Sequence, residues 1–159
     1  MPETKETLDQ MAGEIFELYK LVAIARSRRP AGHADLSETE YLTLDTLSYA
    51  APLTIGEVQK RIGVVPAQMS RIVRALEEKD GKGFVACSIN KADRRRIDIS
   101  LTTEGRAALD AYRTSRLGSM HEILKVLGPK DRLEFMRMLR EIRRAFEGRL
   151  APDTAVTRH

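Results

Sequence analysis

A chain of 159 residues suits one domain, or one domain with extensions. Its 42% apolar and 31% charged residues support a packed core and exclude global disorder. The single cysteine, Cys87, excludes an intramolecular disulfide, and the net charge of +4 is mild. That charge is unevenly spread. Residues 60–96 hold ten Lys/Arg against four Asp/Glu, so this segment carries +6 and the remainder −2. A basic segment on a slightly acidic body is the footprint of a phosphate-binding surface. No long apolar run follows the polar start Met1-Pro2-Glu3-Thr4-Lys5-Glu6. Neither a signal peptide nor a membrane span is expected, and a cytoplasmic protein is.

Leu8, Met11, Ile15, Leu18, Val22 and Ala25 recur at three- and four-residue steps. This is a heptad seam on a long first helix that stops before Pro30 and suits packing on another subunit or on its own core. Leu36-Ser37-Glu38-Thr39-Glu40-Tyr41 opens a second helix with a capping box, Ser37 to Glu40, inside a Leu36–Tyr41 staple. Leu44 and Leu47 continue its buried stripe until Ala51-Pro52. The grammar then repeats, with Leu53 and Val58 as staple and Thr54 and Glu57 as box, in a short helix ending at Gly63. Pro66 starts the next helix, which is expected to run to Asp80, and Val65 before it lacks a capping acceptor. On this helix Met69, Ile72, Val73 and Leu76 share one face. Ala67, Gln68, Arg71, Arg74, Ala75 and Glu78 share the other, where small residues between long polar ones let a helix lie close to base edges.

Gly81-Lys82-Gly83 breaks that helix. Two strand-like runs follow, Phe84–Ile89 and Ile97–Leu101, joined by the basic loop Asn90-Lys91-Ala92-Asp93-Arg94-Arg95-Arg96. Thr102 caps a long helix reaching about Leu127, and Gly128-Pro129 separates it from a last amphipathic helix through Leu133, Met136, Leu139, Ile142 and Phe146 to about Gly148. The fold class is therefore mainly α with a small β-hairpin wing. The expected organisation is an N-terminal helix (1–32), a winged helix-turn-helix (33–104), two C-terminal helices (105–150) and a flexible tail (151–159).

No catalytic constellation accompanies this layout, and an enzyme is not expected. His33, His121 and His159 lack metal-ligand spacing, and no phosphate-binding glycine loop or nucleophile elbow is present. No metal and no cofactor are implied. Two alternatives stand beside DNA binding. A winged helix can serve as a protein-interaction module, which calls for an acidic or apolar recognition face. Cys87 can act as a redox switch, although its place between Val85 and Ile89 on one strand face suits a buried structural thiol.

The chain resembles the MarR family of bacterial transcriptional regulators over about residues 5–148. The resemblance is carried by Leu36-Ser37, by Gln68 through Lys79 in the recognition helix, by Asp93-Arg94-Arg95 in the wing, and by Leu101-Thr102-x-x-Gly105. Two departures stand out: Lys79-Asp80-Gly81-Lys82-Gly83-Phe84 lengthens the approach to the wing, and Val65-Pro66-Ala67 replaces a Ser- or Thr-rich helix start. The resemblance implies a homodimer built by the first and last two helices. It also implies a near-palindromic DNA operator, usually repressed, and release by a small phenolic or lipophilic ligand or by thiol oxidation.

Within that frame Gln68, Arg71 and Arg74 are expected at bases, with Pro66 and Ala67 beside them. Ser70 and Thr54 are expected at phosphates. Arg94 is the candidate for the minor groove. Lys91, Arg95 and Arg96 supply phosphate contacts, with Asp93 orienting the wing and pairing one arginine. The implied effector pocket draws on Met11, Ile15, Tyr41, Leu44 and Tyr112, any of which can equally be plain core.

Overall fold

The computed structural model describes residues 5–28 and 36–150. The expected helix stop at Pro30, His33 and the tail 151–159 lie outside the described residues. Two units result, divided between Gly32 and His33. The first holds one helix, α1 (Lys5–Ser27), on which Leu8, Met11, Ile15 and Leu18 are all exposed.

The second unit runs α2 (Glu38–Tyr49), β1 (Leu53–Thr54), α3 (Ile55–Ile62), α4 (Pro66–Glu78), β2 (Val85–Ile89), β3 (Ile97–Leu101), α5 (Thr103–Leu124) and α6 (Pro129–Leu150). Both expected capping boxes form: the Ser37 hydroxyl accepts from the Glu40 amide, the Thr54 hydroxyl accepts from the Glu57 amide, and each glutamate accepts from its cap's own amide. Helix α4 ends at Glu78, two residues before the sequence suggests. A 3-10 turn over 79–81 follows, with Asp80 left-handed at φ 53°. Helix α5 stops at Leu124, and α6 continues through Gly148 to Leu150.

The strands form an antiparallel sheet in the order β1-β3-β2. Strand β1 is absent from the sequence reading: Leu53 pairs with Ile99 and Thr54 with Asp98, which stitches the start of α3 to the wing. Leu44, Leu47, Val58, Met69, Leu76, Ile99 and Leu109 lie at the centre of a core shared by α2, α3, α4, the sheet and the first half of α5. At the base of the wing the Phe84 amide donates to Leu76 O and the Thr102 amide to Phe84 O, at 2.7 and 3.1 Å. A Cβ on Gly105 would lie 2.0 Å from the Phe84 carbonyl oxygen, so only glycine lets α5 pack this closely on the wing.

Candidate nucleic-acid interface

Helix α3 closes at Gly63, whose φ of 71° is the left-handed C-cap that turns the chain toward α4. Pro66 then opens α4 without a side-chain cap at Val65. Burial of Met69, Ile72, Val73 and Leu76 fixes the roll of α4 and turns Ala67, Gln68, Arg71, Arg74, Ala75 and Glu78 outward, all exposed. The side chains of Gln68, Arg71 and Arg74 have no hydrogen-bond partner among the described residues, so their donors are available to a ligand.

Register sets the wing. Ile89 pairs with Ile97, leaving residues 90–96 as the loop between β2 and β3. Asn90 organises that loop. Its side-chain oxygen accepts from the Ala92 and Asp93 amides, its side-chain nitrogen donates to Asp98, and its amide donates to Arg96 O. Asp93 accepts from the Arg95 amide at 3.0 Å and sits 3.8 Å from the Arg96 guanidinium. That ion pair is about half exposed on both sides and holds Arg96 only weakly. Lys91, Arg94 and Arg95 are exposed, with no side-chain partner among the described residues. A groove of about 350 Å³ runs between the start of α3 and the base of the wing, lined by Gly56, Glu57, Lys60, Arg95, Arg96 and Ile97 among others. Three cations therefore border one concavity. The single carboxylate there, Glu57, is engaged by the Thr54 hydroxyl and amide, which hold it below its usual range.

The family model for the MarR family matches residues 36–97. The HTH-type transcriptional repressor Rv2887 of Mycobacterium tuberculosis is 30% identical over 128 residues, covering 79% of this chain and 89% of that protein. The chain belongs to the MarR family. Among solved structures, YusO of Bacillus subtilis superposes with a TM-score of 0.68 at 21% identity, over 90% of this chain and 99% of that one. FabT of Streptococcus pneumoniae, crystallised in complex with DNA, gives 0.67 at 20% identity over 91% and 99%. The mostly helical fold with a small antiparallel sheet is that of the family, and the protein is a DNA-binding transcriptional regulator.

In this MarR-family regulator, several polar residues of the expected site are engaged within the fold. Thr54, expected at a phosphate, is 8% exposed and lines the groove, and its hydroxyl is engaged with Glu57 in both directions as the cap of α3. Ser70 is exposed but donates back to Pro66 O at 3.1 Å. Lys79, counted with the basic segment, binds Glu40 at 3.0 Å and ties the end of α4 to the start of α2. Lys60 was not singled out in the sequence and joins the groove only through the fold.

The residues considered for an effector pocket belong to both units. Leu44 is fully buried core, Tyr41 and Tyr112 stack at 4.8 Å between ring centroids, and Met11 and Ile15 lie exposed on α1. Beside the tyrosines, Arg113 of α5 binds Asp45 of α2 and reaches Ser48, while Arg116 lies 4.7 Å over the Tyr112 ring. Cys87 is half-buried; burial first, then the neighbouring Glu77, pushes its thiol up to about 12. Redox sensing needs the thiolate, which this setting suppresses.

Proposed function

We propose that two copies of this chain form a homodimer that represses transcription from a near-palindromic operator. The observation that carries this reading is the outward face of α4, where Gln68, Arg71 and Arg74 stand exposed beside a wing whose Arg94 and Arg95 are exposed as well, their side chains all without a partner among the described residues. In this reading α4 enters the major groove. Arginine there pairs with guanine and glutamine with adenine, each pair contributing roughly 1–3 kcal/mol of discrimination. Arg94 enters the flanking minor groove. Lys60, Arg95 and Arg96 seat a backbone phosphate in the groove beside α3, and Lys91 adds a further phosphate contact.

Exposed apolar side chains on α1, on the second half of α5 and along α6 support the second copy. No described helix is long and apolar enough to cross a membrane, which accords with a cytoplasmic regulator. Family membership supports release by a small phenolic or lipophilic effector that changes the separation of the two recognition helices. Selection of bound genomic fragments, followed by gel shift of the enriched sequence, tests the reading. Specific retardation of a fragment with two inverted half-sites is expected. Equal affinity for random duplex would overturn it.

A further inference from the structure

The start of α4 is apolar and uncovered. Val65 is 63% exposed and makes no capping hydrogen bond, so its side chain serves neither the helix end nor the core. Pro66 and Ala67 are exposed as well. Helical spacing places Ala67, Arg71, Arg74 and Glu78 on one line, opposite the buried Met69, Ile72, Val73 and Leu76. Ala67 thus stands on the midline of the outward face, one turn before Arg71, with Val65 flanking it. The side chains further along that midline are charged, and the small Ala75 is the other apolar residue of this face, so the branched apolar surface lies at the N-terminal end.

In a major groove, the N-terminal end of a recognition helix meets base edges. Those edges present acceptors, amino groups and one apolar group, the 5-methyl of thymine. An amino group or acceptor pressed against Val65 and Ala67 would lose water without gaining a hydrogen bond, which is unfavourable, whereas a methyl gains from burial. The short side chain of Ala67 also lets the backbone come close enough for that contact. We infer that Val65 and Ala67 form a thymine-reading patch that fixes one T·A pair in each half-site, adjacent to the pairs facing Gln68 and Arg71. The inference rests on the proposal that α4 occupies the major groove.

The full chain is first used to select duplexes from a randomised library. Failure to enrich any sequence would overturn the DNA-reading proposal and this one with it. In the enriched operator each thymine is then replaced in turn by deoxyuridine, which removes only the 5-methyl. Wild-type protein is expected to lose about fourfold in affinity per half-site at one position. Val65→Ala only deletes methyls, and at that same position its preference for thymine over uracil should shrink. Ala67→Ser, which puts a hydroxyl on the patch, should shrink it too. Should one of the two variants lose all binding, the other carries the comparison. A purely structural role for these residues would move stability and leave the thymine-to-uracil ratio unchanged. Equal affinity of the wild type for every deoxyuridine duplex, or a preference undiminished in the variants, overturns the inference while leaving DNA binding intact.

Discussion

Both ends of the Asn90 side chain are engaged, and the three arginines beyond it depend on that. Its oxygen gathers the amides of Ala92 and Asp93, and its nitrogen reaches Asp98 at 2.8 Å. Removing the side chain leaves the cations in place but loosens the loop that presents them. Asn90→Ala should therefore weaken operator binding by about fivefold, the worth of one hydrogen bond, with the salt dependence unchanged. Arg94→Ala should weaken binding and also flatten the salt slope by about one phosphate contact. Salt titrations of the two variants against one operator separate presentation from charge, and identical slopes would refute the assignment of Arg94. Half of Asn90's role is legible in the sequence, because an Asn bonding amides two and three residues ahead is local turn chemistry. The bond to Asp98 is not, since it depends on strand register. At Cys87 the thiol stands at about 12, far above the usual thiol range. Iodoacetamide at pH 8 should alkylate the native protein at least about a hundredfold more slowly than the urea-unfolded chain. Comparable rates in the two states would restore the redox alternative.

Among the elements, α2 and the end of α4 are tied through Glu40, whose carboxylate accepts from the Ser37 amide and, on its two oxygens, from the ammonium of Lys79, the residue after α4, at 3.0 and 3.2 Å. Burial pushes the Glu40 carboxyl up, and the bonds from Ser37 and Lys79 together outweigh it, leaving it below 4.5. A carboxyl depressed in the folded state favours folding above its unfolded pKa, and that contribution is lost as pH falls through the folded value. Glu40→Gln should thus cost about 2 kcal/mol in urea unfolding at pH 7 and progressively less below about pH 4.5. A difference that persists undiminished in acid would show that the loss is one of shape and not of charge. The Ser37–Glu40 and Thr54–Glu57 boxes are legible because a cap is complete within four residues. Lys79 is not legible as the partner of Glu40, being 39 residues away, and in the sequence it looks like one more cation for DNA. Strand β1 is hidden for the same reason. Leu53 and Thr54 carry a helix signal locally, and only β3, 44 positions on, makes them a strand as well.

For the whole molecule, the largest unexplained quantity is apolar surface. On α6, Met138, Leu139, Ile142, Phe146 and Leu150 fall within one stripe at helical spacing, yet none is buried. On α5, Leu117, Met120 and Ile123 are exposed, as is Val126 just beyond it, while Leu109 and Tyr112 in its first half are core. Contiguous apolar faces of this extent mark an interface, and an obligate dimer commonly buries 2,000 Å² or more. A second copy covering these faces would also link two recognition helices. Binding of the second half-site would then be intramolecular, with an effective concentration on the order of millimolar. Placing a carboxylate in the stripe, as in Leu139→Glu with Ile142→Glu, should break the dimer without touching the α4 face. Light scattering should then report a mass of 17.9 kDa in place of twice that value. Operator affinity should fall by at least about a hundredfold, toward that of one half-site alone. Circular dichroism separates this outcome from unfolding, because the core of α2 to β3 contributes nothing to the stripe. A double variant that stays dimeric, or a monomer that binds the full operator as tightly as the parent, would move the dimer interface off α6.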